Sequence, residues 1–305
     1  MKPAPPVWAI GRQADEYPQC LRDLEPNERP RLYGCGRREV VVGFDCGSAV
    51  TIVGTRRPSA YGLRVTEQLA RELGAAGLAI VSGMALGIDA AAHRGALAAG
   101  ATTIAVLAHG PDLPYPPVNR DLYERIVENG AAISEHPAGT EARPHQFAAR
   151  NRIMAALGGA VVIVEGAQPS GTMITADRAL RLGRNVGAIP GQLGVRVAAG
   201  PNDLIRDGAY LIRDARDVLD LLYGVGASPR TAPPPRPGPA LDPPLRALLD
   251  GVRAGAATVD RLVQEAALEP REVAVGLARL ELLGYVRADA LGAYAATALA
   301  TPTNP

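Results

Sequence analysis

Short, continuous apolar runs recur along the chain from about residue 40 onward. They are Ala49–Val53, Leu78–Val81, Thr102–Leu107, Ala131–Ser134, Ala160–Val164 and Val186–Ile189. Runs of this length that are apolar at successive positions are typical of strands buried on both faces of a parallel sheet. The pattern therefore predicts six core strands.

Helix-length segments separate these runs, and each ends close to a glycine, as helices commonly do. We predict helices at Tyr61–Ala75, Ile88–Ala99, Asn119–Asn129, His145–Leu157 and Thr172–Leu182. The repeated order of strand, loop and helix predicts an α/β fold with a doubly wound, mostly parallel sheet. Because such sheets bind ligands beyond the carboxyl ends of their strands, the loops after the apolar runs are the candidate functional segments.

The pattern changes near residue 226. Residues 227–244 contain eight prolines and almost no apolar periodicity, which predicts a semi-rigid linker. Beyond the linker, helical spacing is followed by a short hairpin around Gly292, an order that suggests a winged-helix-like domain. The helical segments are Leu245–Leu249, Val259–Ala267 and Arg271–Leu283, and the hairpin is Tyr285–Tyr294. The predicted domains are 1–225, with a loop-rich extension at 1–38, and 245–305, joined by a linker at 226–244.

Composition and charge restrict the chemistry. With 47% hydrophobic residues and a net charge of +1, the 305-residue chain can form a core, and any nucleic-acid surface must be local. Lys2 is the only lysine, so a Walker A loop and a lysine-linked cofactor are excluded, and phosphate must be bound by arginine and backbone amides. Residues 244–305 hold 6 Arg against 7 Asp plus Glu, which favours a protein-interaction or structural role over strong duplex binding.

The cysteines and the lengths of the apolar runs indicate the cellular compartment and the absence of a metal site. Cys20, Cys35 and Cys46 form no CxxC pair and have no neighbouring histidine, so we predict neither a zinc site nor a disulfide framework. No apolar segment is long enough to span a membrane, and the first ten residues lack a signal-peptide pattern. We expect a soluble cytoplasmic protein without a metal or another cofactor.

Three of the loops carry residues suited to phosphate. At a helix start, backbone amides and the hydroxyls of serine and threonine can donate to phosphate oxygens, and glycine lets the phosphate come close. Arginine adds forked donors for the same oxygens. The candidate residues are Gly54, Arg56 and Arg57 after the first run, Ser82 and Gly83 after the second, and Ser170, Gly171 and Thr172 after the fifth. In the alternative interpretation of the first loop, Pro58 and Ser59 only start a helix and the arginines are solvated.

The fourth loop interleaves arginines with one of the two phenylalanines. The residues are Gly139, Arg143, His145, Phe147, Arg150, Asn151 and Arg152. Guanidinium groups for the backbone and a ring for base stacking are typical of a groove for single-stranded nucleic acid. Phe147 could equally belong to the core, and Arg150 and Arg152 require anionic partners if both are buried. The prolines of the third loop, Gly110–Pro117, suggest a role in shape, and His93 is predicted to be a packed residue.

These motifs resemble those of the DprA (Smf) family of DNA-processing proteins. The resemblance runs over about residues 17–215 and rests on strings such as IVGTRRPSAYG from Ile52, SGMALGIDAAAHRGAL from Ser82 and RPHQFAARNRIMAAL from Arg143. It implies an extended Rossmann-like fold that binds single-stranded DNA, forms a homodimer, protects incoming DNA in natural transformation and loads RecA recombinase onto it. It also implies that the protein is not an enzyme. As a departure from the family pattern, we expect no counterpart of the N-terminal helical SAM-like domain of some members.

The resemblance places Arg56, Gly83, Gly139, Phe147 and the Arg150–Arg152 triplet along the DNA groove, with Ser170, Gly171 and Thr172 close by. An alternative comes from phosphoribohydrolases acting on nucleoside monophosphates, which share this type of fold. Those enzymes need an arginine and a glutamate at the ribose, and Arg152 and Glu165 are the available pair. Their PGGxGT signature is not present, and Pro169–Thr172 is its nearest counterpart.

Overall fold

The structure is a computed structural model that describes residues 5–42, 44–168, 170–225, 241–253, 258–266, 269–283, 285–288 and 294–296. The chain divides into two compact units, residues 1–232 and 233–305. Most of the predicted linker, residues 226–240, and the predicted turn at Gly292 lie outside the described residues.

The first unit is built on a nine-stranded sheet. Its strands are β1 (Val7–Ile10), β2 (Leu32–Gly36), β3 (Ala49–Val53), β4 (Ala79–Ser82), β5 (Thr103–Leu107), β6 (Ala131–Ser134), β7 (Ala160–Ile163), β8 (Asn185–Ala188) and β9 (Tyr210–Leu211). Their spatial order is β1-β2-β6-β5-β4-β3-β7-β8-β9, and β3 to β9 are parallel. The chain runs outward from β3 to β6 and then returns to β7 on the other side of β3. In open α/β sheets, ligands bind at such a reversal, beyond the carboxyl ends of the strands.

Helices cover both faces of the sheet. They are α1 (Ala60–Ala75), α2 (Ile88–Ala98), α3 (Arg120–Asn129), α4 (Pro144–Leu157), α5 (Gly171–Arg181), α6 (Ala199–Arg206) and α7 (Ala215–Tyr223). Alternate residues of the strands face opposite layers, so that Val106 packs toward α4 and Leu107 packs toward α3. The predicted doubly wound α/β fold is confirmed. Each end of the five predicted helices lies within one residue of the observed end.

The N-terminal extension differs from the prediction of a loop-rich segment. β2 pairs antiparallel with β6, and β1 pairs antiparallel with β2, so both strands extend the central sheet. Trp8 packs over Gly34 so closely that a Cβ at Gly34 would lie 2.8 Å from the Cε2 atom of Trp8. The sequence signal is weak because β2 contains two glycines, which interrupt its apolar run.

The second unit contains α8 (Pro243–Arg253), α9 (Val259–Ala266), α10 (Pro270–Leu282) and an antiparallel pair, β10 (Val286–Ala288) with β11 (Tyr294–Ala296). Leu248, Leu249, Leu262, Leu277 and Tyr285 form the centre of its apolar core. This order of helices and hairpin is the predicted winged-helix arrangement. Within the described part of the chain, no helix is long and apolar enough to cross a membrane.

Candidate nucleic-acid interface

Arg56 and Phe147 meet at the carboxyl edge of the sheet. Arg56 follows β3, Phe147 lies in the first turn of α4, and the Arg56 guanidinium carbon is 4.9 Å from the centre of the Phe147 ring. Phe147 is half-buried and Arg56 is exposed. No ion pair holds Arg56 among the residues that the structure describes. A cation and an aromatic ring are therefore both available to a ligand at this edge.

Tyr115 extends this aromatic surface. Its ring centre lies 6.2 Å from that of Phe147 and 5.5 Å from that of His109, and Tyr115 is 46% exposed. The sequence interpretation gave the loop around Tyr115 only a role in shape. The available signal was an aromatic residue between Pro114 and Pro116, in a loop that follows a buried strand.

Arg150 lies beneath the edge and is only 3% exposed. Its Nη1 atom donates to the Gly83 carbonyl at 2.8 Å and also to the Val106 carbonyl. Burial lowers the pKa of Arg150 to about 10, while the nearby Asp89 carboxylate opposes that shift. A Cβ at Gly83 would lie 2.6 Å from the Arg150 Cζ atom, so glycine is needed for this approach. Arg150 and Gly83 thus support the loop after β4 from the buried side.

Arg152 forms a two-pronged ion pair with Glu135, at 2.9 and 2.7 Å, and its Nε atom donates to the Glu28 carbonyl at 3.0 Å. Burial raises the pKa of Glu135, but the hydrogen bonds and charge of Arg152 outweigh that effect and hold the pKa below its ordinary value. The structure therefore ties Arg152 to the N-terminal extension and to the end of β6.

Glu165 has a different partner. It accepts hydrogen bonds from the Ser59 amide at 2.9 Å and from the Ser59 hydroxyl at 2.5 Å. Arg152 and Glu165, the two residues that the phosphoribohydrolase alternative needs at the ribose, are thus each held by a different partner. Ser59 in turn caps α1 by accepting from the Gly62 amide at 3.0 Å. Two of the amides at the start of α1, those of Ser59 and Gly62, are therefore already occupied.

Gly54 and Ser82 also have packing roles. A Cβ at Gly54 would lie 2.6 Å from the Ile88 side chain and 2.9 Å from the Glu165 carbonyl, so close packing explains the glycine. The Ser82 hydroxyl is fully buried and donates to the Ile52 carbonyl at 2.6 Å. Ser82 therefore does not face solvent as a phosphate ligand would, whereas Gly54 is half-buried. His93 is also fully buried, which confirms the prediction of a packed residue.

The other predicted residues separate into exposed and supporting groups. Arg57, Arg143, His145, Gly139 and Gly171 are exposed. Gly139 adopts a φ of 75°, and its amide donates to Asp112 at 2.9 Å. The Asn151 side-chain amide donates to the Gly171 carbonyl at 3.1 Å, which joins α4 to the start of α5. Thr172 is buried, and the buried Ser170 hydroxyl has no partner among the described residues.

Exposed arginines without an ion pair concentrate at this edge of the first unit. Within the described residues, those on segments that flank strand ends at the carboxyl edge are Arg12, Arg31, Arg56, Arg57, Arg120, Arg143, Arg196 and Arg216. Those elsewhere are Arg64, Arg71 and Arg125, which lie beyond the first turn of their helices. The near-neutral net charge thus conceals a local basic edge, which is the electrostatic footprint expected for nucleic acid.

Comparison with known families agrees with this geometry. A family model for DNA recombination-mediator protein A matches residues 8–223, and a model for the DprA winged helix domain matches residues 232–290. The chain belongs to this family. The resemblance drawn from the sequence motifs is thereby confirmed.

Individual relatives cover most of the chain. Protein Smf of Synechocystis is 35% identical over 305 residues, which cover 89% of this chain and 75% of that protein. DprA proteins of Mycobacterium tuberculosis are 41% identical over 240 residues, and the match spans 61% of their length.

Two solved structures resemble the fold. DNA processing protein A from Streptococcus pneumoniae has a TM-score of 0.64 at 36% identity and covers 70% of this chain and 73% of its own. DNA processing protein A from Helicobacter pylori, described for its single-stranded DNA binding mode, has a TM-score of 0.63 at 30% identity and covers 72% of this chain and 96% of its own.

Proposed function

We propose that the protein binds single-stranded DNA along the carboxyl edge of the sheet. The observation that carries the proposal is the Arg56 guanidinium 4.9 Å from the centre of the half-buried Phe147 ring, with no ion pair within the described residues to neutralise it. Membership of the recombination-mediator family and the single-stranded DNA binding of the Helicobacter pylori relative support it.

In the proposed binding mode, Arg56, Arg57 and Arg143 contact phosphates, and bases stack on Phe147 and Tyr115. Stacking on a ring tolerates any base, so little sequence preference is expected. Phosphate contacts release counterions, so affinity should fall as salt concentration rises. Duplex DNA, whose bases are already stacked and paired, should bind more weakly. Gly83, Arg150, Asn151 and Arg152 hold these contacts in place from below.

The test is fluorescence anisotropy with labelled oligo-dT and a matching duplex. We expect Arg56→Ala and Phe147→Ala each to weaken oligo-dT binding about tenfold, since a stacked base contributes about 1–3 kcal/mol. Arg71→Ala is the matched control, because Arg71 is an exposed arginine without an ion pair but lies inside α1. Equal affinity for duplex and single strand, or an equal loss in all three variants, would contradict the proposal.

The wider role that we propose is protection of incoming or processed DNA and loading of RecA recombinase onto it in natural transformation and recombination. A homodimer would place two basic edges on one strand and so raise the effective affinity. Such a role requires access to recombinase and is therefore expected in the cytoplasm. It is tested by RecA ATPase activity on single strands coated with single-strand-binding protein, and the dimer by sedimentation. If the protein does not raise RecA ATPase activity on coated strands above the level without it, the loading role is refuted. The proposal of DNA binding is unaffected by that result.

A further inference from the structure

A second pairing of guanidinium and ring occurs in the N-terminal extension. The Arg31 guanidinium carbon lies 5.5 Å from the centre of the Tyr33 ring. Arg31 is exposed, Tyr33 is half-buried, and no ion pair holds Arg31 among the described residues. The pair thus repeats the composition and spacing of Arg56 with Phe147.

Strand register places this pair at the same edge of the sheet. Tyr33 of β2 is opposite Ser134, the last residue of β6, and Ile10, the last residue of β1, is opposite Leu32. Because β2 runs antiparallel to β6, the start of β2 and the end of β1 flank the carboxyl ends of the parallel strands. Arg31 immediately precedes β2, and Arg12 is the second residue after β1. Both arginines therefore also lie at that edge.

The distance between the two pairs follows from the strand order. Four steps separate β3 from β2, through β4, β5 and β6. At about 4.8 Å for each step, the start of β2 lies about 19 Å from the end of β3. Leu32 packs into the core beside α4, so Tyr33 faces the opposite layer, the one that contains α3. The loop that carries Tyr115 leads to the same layer.

The charges near Tyr33 favour an anion. Arg12 is exposed and has no ion pair among the described residues. Glu135 is close enough to Arg12 to have its pKa lowered by that charge, but it is already paired with Arg152. The neighbouring Arg38 is paired with Glu16 and contributes no free charge.

We propose that Arg31, Tyr33 and Arg12 form a second nucleotide-binding subsite for the same single strand. Tyr33 offers a ring to a base, and the two arginines contact the flanking phosphates. At about 3.4 Å for each stacked nucleotide, a strand needs about six nucleotides to reach from the end of β3 to the start of β2, and an unstacked, extended strand needs fewer. This inference rests on the proposed function, because the first subsite is the one formed by Arg56 and Phe147.

Binding of oligo-dT of two lengths distinguishes contact with one subsite from contact with both. A strand of about three nucleotides is too short to span both even when it is extended, whereas one of about twelve spans them with nucleotides to spare. We expect Arg31→Ala and Tyr33→Ala to weaken binding of the long strand about tenfold and to leave binding of the short strand unchanged. Tyr33→Phe, which keeps the ring, and Arg71→Ala, which removes an equal charge from α1, should both behave like the wild-type protein.

A second measurement locates the base directly. Long oligo-dT carrying photoreactive 5-iodouracil, which crosslinks to aromatic side chains, should give crosslinks to the peptides that contain Phe147 and Tyr33. The short strand should crosslink to the Phe147 peptide. A crosslink pattern without the Tyr33 peptide, or an unchanged affinity of Arg31→Ala for the long strand, would overturn the second subsite.

The same titrations keep the two proposals apart. Phe147→Ala should weaken binding of both strand lengths. If Phe147→Ala leaves both unchanged, the proposed function fails regardless of what the Arg31 variant does. If Phe147→Ala weakens both while Arg31→Ala and Tyr33→Ala bind like the wild type, the proposed function stands and the second subsite is refuted. Thermal unfolding of each variant shows whether it is folded.

Discussion

His93 should make the first unit lose stability in mild acid. The residue is fully buried on α2, and its Nδ1 atom lies 2.7 Å from the Thr103 hydroxyl oxygen. The Thr103 hydroxyl donates to the Ile80 carbonyl at 2.8 Å, so it accepts from His93, which assigns the proton to Nδ1. Burial, followed by the charge of Arg150, lowers the pKa of His93 to about 3.

The sign follows from the order of protonation. The folded-state pKa lies below the ordinary value of 6.5, so the unfolded chain takes up this proton first. The contribution of neutral His93 to stability is complete above about pH 6.5 and is lost progressively as the pH falls toward about 3. Linkage gives a loss of about 2 kcal/mol between about pH 7.5 and about pH 5. This value is insensitive to the folded-state pKa, because His93 is neutral in the folded protein at both pH values.

Urea unfolding followed by Trp8 fluorescence is the assay, because Trp8 is the only tryptophan and lies in β1 of the first unit. His93→Asn retains an amide donor for Thr103 but cannot titrate. We expect it to be less stable than the wild type near neutral pH, since it loses ring packing, and to lose about 2 kcal/mol less on acidification. Equal losses in the two proteins would refute the assignment of a neutral buried imidazole.

Three further predictions concern Gly83, Arg152 and Arg57. Gly83→Ala should lower the free energy of unfolding by about 2 kcal/mol, because its Cβ would lie 2.6 Å from the Arg150 Cζ atom; a urea midpoint equal to that of the wild type would contradict this. Arg152→Ala should destabilise by about 1–3 kcal/mol by leaving the half-buried Glu135 unpaired, and the difference from wild type should shrink in acid as Glu135 protonates; a constant difference would argue against the pair. Arg57→Ala should reduce the slope of log affinity for oligo-dT against log salt by about 0.7, as measured by anisotropy; an unchanged slope would exclude a phosphate contact.

The main elements of the fold could be predicted because their signals are local. β3 and β6 match the predicted runs because each is apolar and continuous between turn residues. Helices α1 to α5 were predicted from equally local signals, since a glycine lies close to the end of each one, whereas α6 and α7 were not predicted. The two strands of the N-terminal extension escaped prediction because β2 contains two glycines and gains its stability from pairing with β6, far away in sequence.

The site could be predicted only in part. Arg56 and Phe147 were both candidates, but nothing local indicated that they are 4.9 Å apart. Tyr115 was assigned to shape because its neighbours are prolines, and only the packing of its loop brings its ring near Phe147.

Residue types and local spacing determined the α/β fold, the family and the set of candidate arginines. Tertiary structure decided which of those arginines are free. Arg150 and Arg152 are two residues apart, yet one is buried against carbonyls and the other is paired with Glu135, while Arg56 remains exposed. The physical reason is that a guanidinium buried away from water must be compensated by partners from distant segments, and local sequence does not specify which segments the fold brings together.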